Sequence, residues 1–305
     1  MYQAKRHPRS DYLPIRNLRY HALVWGQPQE GQAPWVLVHG WMDVAASYQF
    51  VVDALAQDHY LIAPDWRGYG QSQAGPEGTP QVDSFWFADY LADLDFLLDH
   101  YAPNQQVNLV GHSMGGNVAM LYAGVRPERI RRLINLEGFG MPATVPPMAP
   151  GRYAKWMDEL KKFHANAVSL QSYDSADSVA RRLMKTNPRL ASDKAAWLAR
   201  QWARESSSGT WEIQGHAAHK LSTPLLYRVE EVLAIYQRIT APVLAVEASD
   251  SGPDQWWKGA YSLAQYHERL QSVPNARVAR IDNAGHMLHH DQPEALAALM
   301  EGFLA

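Results

Sequence analysis

Residues 106–125 read QVNLVGHSMGGNVAMLYAGV. Val107, Leu109 and Val110 make the first part a short apolar run, the pattern of a strand buried on both faces. Met114 to Val125, MGGNVAMLYAGV, reads as a helix. Between the two stands Gly111-His112-Ser113-Met114-Gly115, a G-x-S-x-G. A turn from buried strand to helix within so few residues is tight, and Gly111, Gly115 and Gly116 remove the side chains that would clash there. Ser113 is thereby expected on a strained corner with its hydroxyl exposed. The backbone N–H of Met114 lies at the start of the helix, where an oxyanion would be welcomed.

Working outward, the chain alternates strand and helix signals. LRYHALVWGQ (18–27), PWVLVHG (34–40) and HYLIAPD (59–65) read as strands, with a helix from Ser47 to Ala56 between the last two. SFWFADYLADLDFLLDHYA (84–102) carries Phe87, Leu91, Leu94 and Leu98 at helical spacing. RRLINLEG (131–138) is another strand. Strand, helix, strand, helix requires parallel strands with crossover helices, hence a doubly wound α/β sheet. No comparable strand follows between Phe139 and Tyr236. Helical stretches there, RYAKWMDELKKFHANA and SDKAAWLARQWARE, are broken by prolines. Strands resume at APVLAVEAS (241–249) and ARVARIDNAGH (276–286), and DQPEALAALMEGFLA closes the chain as a helix, with Asp291 and Glu294 at capping-box spacing. The expected organisation is a core of 1–138 and 237–305, interrupted by a helical insertion at 139–236.

The composition narrows the function. The chain has 305 residues, no cysteine and a formal net charge of −3. Disulfides, thiolate metal sites and cysteine nucleophiles are therefore excluded. Scattered charges give no reason to expect nucleic acid or a membrane surface as partner. Neither a signal-peptide stretch nor a spanning segment is evident, so a cytoplasmic protein acting on a small molecule, as monomer or homodimer, is the expectation. His286 and His290, four apart beside Asp291, have the spacing of metal ligands, but no third ligand is evident. No cofactor or metal is expected.

These motifs resemble the α/β-hydrolase superfamily over nearly the whole chain. HGW (39–41) is similar to the family's oxyanion loop, DWRGYGQS (65–72) to its D-x-x-G-x-G-x-S segment, and NAGHMLHHDQPE (283–294) to the segment with the catalytic histidine. The resemblance implies a mostly parallel eight-stranded sheet with a helical cap over the active site. It also implies a nucleophile at Ser113, a base at His286, and oxyanion donors in the N–H groups of Trp41 and Met114. The residue chemistry agrees: a serine hydroxyl needs a neutral imidazole to take its proton, and the imidazole needs a carboxylate to fix its tautomer.

Two carboxylates compete for that third role. In the family's commoner arrangement the acid comes three positions after the small residue ending the strand PVLAVEA. Counting from Ala248, that position holds Ser251, and Asp250 lies one place early. Some branches, including relatives of haloalkane dehalogenase, instead take the acid from the preceding strand, and LEGFGMP (136–142) resembles that arrangement. Glu137 is the preferred acid and Asp250 the alternate. Otherwise Glu137 would anchor the cap hinge or pair with Arg131 or Arg132, which stand about 16 to 20 Å away at strand rise. Ser113 stands where dehalogenases and epoxide hydrolases need a carboxylate, which disfavours those activities. Phe139, Met141, Trp156 and Met287 are expected to line an apolar substrate pocket. The expected function is a serine hydrolase of carboxylesterase type. Lactones, thioesters or carbon–carbon bonds on the same triad are the alternatives, as is a binding protein that senses its ligand without turnover.

Overall fold

The computed structural model describes residues 2–74 and 82–304. Its main sheet contains β1 (Arg9–Ile15), β2 (Leu18–Trp25), β3 (Trp35–Val38), β4 (Leu61–Pro64), β5 (Gln73–Ala74), β6 (Val107–His112) and β7 (Ile130–Leu136). A second, small sheet is made of β8 (Ser172–Tyr173), β9 (Ala203–Glu205) and β10 (Trp211–Ile213), and the main sheet is completed by β11 (Val243–Ala248) and β12 (Ala276–Ile281). The main order is β1-β2-β4-β3-β6-β7-β11-β12, with the short β5 beside β2. The pairs from β4 through β12 are parallel and those involving β2 are antiparallel. Apart from β5, this is the mostly parallel eight-stranded sheet the sequence led us to expect.

Helices cover both faces. On one side lie α1 (Gln49–Ala54), which follows a 3-10 turn at Ala45–Tyr48, and, near the C-terminus, α10 (Leu288–Asp291) and α11 (Pro293–Leu304). Val51, Leu288, Leu296 and Met300 of this layer are fully buried against Val110, Ile134 and Val246 of the sheet. On the other side lie α2 (Phe87–Tyr101), α3 (Met114–Val125), α7 (Val229–Tyr236) and α9 (Leu263–Leu270). The face α2 buries is Tyr90, Asp93, Leu94, Leu97 and Leu98, whereas Phe87, in the first turn, is exposed. Each fully buried leucine there contributes about 1.5–3 kcal/mol.

Between β7 and β11 the chain forms α4 (Ala149–His164), α5 (Ala176–Thr186), α6 (Ser192–Trp202) and the small antiparallel sheet before reaching α7. The sequence reading found no strand in this stretch. Strands of two or three residues are too short to show a period. A short α8 (Pro253–Trp257) follows β11. Among the described residues, no helix is long and apolar enough to cross a membrane.

The register positions the site. Val38 of β3 faces Gly111 of β6, His112 faces Leu136 of β7, and Leu136 faces Val246 of β11. The carboxyl ends of four parallel strands therefore finish side by side. The loops that follow them, with the loop after β12, meet at that edge, where open α/β sheets place their ligands.

Candidate active site

Ser113 joins β6 to α3 with φ 54° and ψ −115°, a conformation costly for a side chain other than glycine. The strain is held by its surroundings. The Ser113 N–H donates to the Leu136 carbonyl at 2.8 Å, and the helix closes behind it with Asn117 N–H to the Ser113 carbonyl at 3.0 Å. A Cβ on Gly115 would lie 2.3 Å from the Val38 carbonyl oxygen, so only glycine lets α3 start this close to β3. Met114 is the first residue of α3, and its N–H has no carbonyl one turn back to bond.

The loop after β3 passes directly over this corner: a Cβ on Gly40 would stand 3.1 Å from the Ser113 Cβ. His39 splints that loop. Its Nδ1–H donates to the Gly40 carbonyl at 2.8 Å, and its Nε2 accepts the Trp66 N–H at 2.9 Å. Burial pushes the His39 imidazole below its ordinary range, which suits a ring that must both donate and accept. Trp41 follows with its side chain 54% exposed, its indole N–H reaching the His219 carbonyl at 3.2 Å. His219 itself is stacked between Tyr69 and Phe85, with centroids 3.9 and 3.8 Å away.

Glu137 ends its strand in the left-handed region, φ 57°, and is 1% exposed. The turn is braced by Asn135, whose side chain accepts the Gly138 N–H at 3.0 Å and donates to the Gly138 carbonyl at 2.9 Å. One carboxylate oxygen accepts the Ala248 N–H at 2.7 Å. The other accepts the Ser251 hydroxyl at 2.5 Å and lies 3.3 Å from His286 Nδ1. Burial pushes the Glu137 carboxyl up to about 7, against the two donors that favour its anion. Burial pushes the His286 imidazole down to about 4, partly opposed by the Asp43 carboxylate. Both shifts express the same cost, that of charge in a dry pocket.

His286 is brought to the serine corner by His112, the residue beside Ser113. The His112 Nε2–H donates to the His286 carbonyl at 2.8 Å, and the rings lie 4.7 Å apart. Asp291 braces the same loop by accepting the Gly285 N–H at 2.8 Å and the Asn187 side chain at 2.7 Å. Its expected capping role is thus replaced by one on the histidine loop. Trp256 stands edge-on to His286 at 4.2 Å and is 40% exposed.

Asp250 is not brought to His286. It is half-exposed and paired with Arg189. The one-residue offset seen in the sequence corresponds to Ser251, not Asp250, turning inward to Glu137. The expected pocket residues are divided. Phe139 is 3% exposed, packed on Tyr266 and behind Trp256, so it backs the site rather than facing it. Met141 and Met287 are half-buried, and the Met141 carbonyl accepts from Arg269 at 2.7 Å. Trp156 is half-buried on α4 beside Trp86. The sequence reading missed Trp256, Asn135 and the donor Ser251. Only Ser251 left a signal, as the serine in the usual acid position.

Asp43, His112 and His289 gather beneath the corner, each offering a ligand-type atom, all within 4.8 Å of one another. The other metal grouping weighed in the sequence is dispersed: His290 Nε2–H bonds the Ser47 hydroxyl at 3.0 Å, and Asp291 bonds Gly285 and Asn187.

A corner serine, a histidine meeting a buried carboxylate and a mostly parallel sheet define an α/β hydrolase. A family model for the alpha/beta hydrolase fold matches residues 34–293, and the chain belongs to that family. It is 24% identical over 295 residues to a serine hydrolase-like protein of Danio rerio, covering 96% of this chain and 87% of that one. It is also 37% identical over 144 residues to the cis-3-alkyl-4-alkyloxetan-2-one decarboxylase of Shewanella oneidensis, covering 47% of this chain and 42% of that protein. Among solved structures, the thioesterase domain from the curacin biosynthetic pathway is similar in fold, with a TM-score of 0.80 at 23% identity over 96% of this chain and 99% of that one.

Proposed function

We propose that this α/β hydrolase cleaves an acyl bond of a small, largely apolar substrate by way of an acyl-enzyme, with Ser113, His286 and Glu137 as its triad. The observation that carries the reading is the 3.3 Å approach of Glu137 to His286 Nδ1, beside a serine held at φ 54°. Glu137 fixes the imidazole with Nδ1 protonated, which leaves Nε2 free to accept the Ser113 proton. Ser113 Oγ attacks the carbonyl. The N–H groups of Trp41 and Met114 receive the oxyanion, and His286 returns the proton to the leaving group. Water activated by the same imidazole then releases the acid. Residues 139–236 serve as a cap, and Trp256, Met141 and Met287 form apolar walls around the reacting carbonyl.

The name of the Shewanella relative supports widening the substrate range to strained lactones, since an oxetan-2-one is a four-membered cyclic ester. Its ring carbonyl would meet Ser113 in the same way.

The test is a turnover screen of p-nitrophenyl esters of graded chain length, thioesters, and four- to six-membered lactones. Multiple turnovers that vanish in Ser113→Ala are expected. Stoichiometric binding without turnover would instead favour a ligand-sensing protein. Glu137→Gln is expected to lower kcat by about 10⁴, the cost of a wrongly held tautomer, while Asp250→Asn stays near wild type. Near-normal turnover in Glu137→Gln sinks the assignment of the acid. EDTA is expected to leave the rate unchanged, because no step is routed through a metal.

A further inference from the structure

Asp43 is two residues past Trp41, His112 is one before Ser113, and His289 is three past His286. The end of β6, the loop after β3 and the helix α10 thus each send one polar side chain to a common point beneath the site. All three residues are buried, at 6%, 2% and 0% exposure. Asp43 Oδ2, His112 Nδ1 and both ring nitrogens of His289 are buried with no hydrogen-bond partner among the described residues. Burying such groups without a partner is costly, so this grouping calls for an occupant.

The donor inventory identifies it. The His112 Nε2–H is committed to the His286 carbonyl, so a neutral His112 presents a lone pair at Nδ1. Burial keeps that ring neutral, pushing it down to about 3. The other oxygen of Asp43 is already held by the Val44 N–H at 2.9 Å and the Ser47 hydroxyl at 2.5 Å, so Oδ2 is a second acceptor. His289 Nε2 lies 3.9 Å from Asp43 Oδ2 and, as N–H, is a donor. Two acceptors and one donor around one point match a water, which donates twice and accepts once.

The distances agree. Asp43 Oδ2 and His289 Nε2, 3.9 Å apart and each about 2.8 Å from a shared water, subtend about 90° there, and the 4.8 Å within which the whole group lies allows up to about 120°. A tetrahedral zinc ion with bonds of about 2.1 Å would draw its ligands to about 3.4 Å of each other, closer than the 3.9 Å between Asp43 Oδ2 and His289 Nε2. The Nδ1 of His289 remains an unmet acceptor, which folded proteins tolerate better than an unmet donor.

We propose that Asp43, His112 and His289 are positioning residues that tie the oxyanion loop, the serine corner and the histidine loop together through one shared internal water. The tie sets where Trp41 N–H, Ser113 and His286 stand relative to one another. Nothing in it touches substrate. It rests on the hydrolase reading only for its effect on rate. The bound water is a structural claim independent of any activity.

A crystal structure of the wild-type protein at high resolution is expected to show a water within hydrogen-bond distance of Asp43 Oδ2, His112 Nδ1 and His289 Nε2. A metal ion there, or a direct Asp43–His289 bond with no water, overturns the proposal. Function is read with His289→Phe, which fills the volume without a donor, and His289→Gln, which restores one. Two rates are compared: kcat on the best ester, and labelling of Ser113 by a fluorophosphonate, which needs no known substrate. His289→Phe is expected to lose about 10²-fold in both, the effect of a misplacement near 1 Å, with KM within about twofold. His289→Gln is expected to recover most of the loss. Equal rates in Phe and Gln variants of matched melting temperature overturn the positioning role. If the wild type neither turns over nor labels, the hydrolase reading fails, and the density still decides the water.

Discussion

Glu137 is a carboxylate at the tip of a buried strand, and two donors favour its anion there, the Ala248 N–H and the Ser251 hydroxyl. Both lower its proton affinity, and burial raises it further than they lower it. In the proposed mechanism the working form has Glu137 ionised and His286 neutral, so the first proton taken up by the pair stops the reaction. Its acid limb belongs to both groups together. Ser251→Ala removes one donor, which raises the proton affinity of Glu137 and keeps the inactive form in place to higher pH. The acid limb of kcat/KM should therefore move up by about one pH unit, since such a bond is worth about 1.5 kcal/mol or more and 1.36 kcal/mol is one unit. A limb that stays put, or moves down, would show that Ser251 does not support the anion. At this scale the sequence was informative about the acid itself. Glu137 was legible because charge at a strand end needs a reason. Its donor was legible only as a position where the family's usual acid was missing. Trp256 on His286 was not legible at all, because no pattern in one chain says which tryptophan meets which loop.

A buried ion-pair network joins elements alongside the apolar packing. Arg67, in the segment after β4, meets Asp93 of α2 through two bonds at 2.5 and 2.7 Å, and Tyr20 of β2 donates to the same carboxylate at 2.5 Å. Arg67 is 5% and Asp93 0% exposed. Asp93→Asn would leave the buried guanidinium with only the more distant Asp89 carboxylate, 3.8 Å away, a loss of about 3–5 kcal/mol that should lower the melting temperature by roughly 10 °C. Asp93→Leu combined with Arg67→Met should recover most of it. A melting temperature unmoved by Asp93→Asn would show that water reaches the pair. The D-x-x-G-x-G-x-S segment was visible in sequence, but the partner of its arginine was not, because Asp93 sits mid-helix on a face read as apolar. Edge strand β1 was missed for a related reason. RSDYLPI is exposed along most of its length, so its composition carries little of the burial signal that marks the central strands.

The whole molecule keeps an unusual number of histidines neutral by burying them. His39, His112, His289 and His290 are each at most 5% exposed, and burial pushes all four below their ordinary value of 6.5. The unfolded chain protonates these rings as the pH falls through 6.5, and the folded chain does so only at lower pH, near 3 for His112 and well below 6.5 for His289 and His290. Their contribution is neutral above 6.5 and opposes folding increasingly below it, by up to about 1.4 kcal/mol per pH unit for each ring until that ring titrates in the folded state. Glu137 works the other way. Its folded value near 7 lies above the unfolded 4.5, so acidification between those values relieves about 1.4 kcal/mol per unit, one group against several, since burial also pushes His219 down to about 3 and His286 to about 4. Set against a total stability of about 5–15 kcal/mol, the net slope should destabilise the protein steeply as the pH falls below 6.5. The melting temperature should fall steeply between pH 6.5 and 5, followed by far-UV circular dichroism. His290→Gln keeps a donor for the Ser47 hydroxyl while removing one titrating ring, so it should reduce the slope by about 1.4 kcal/mol per pH unit. A melting temperature that is flat from pH 7 to 4.5, in wild type and variant alike, would mean that these rings take up their protons inside the folded protein.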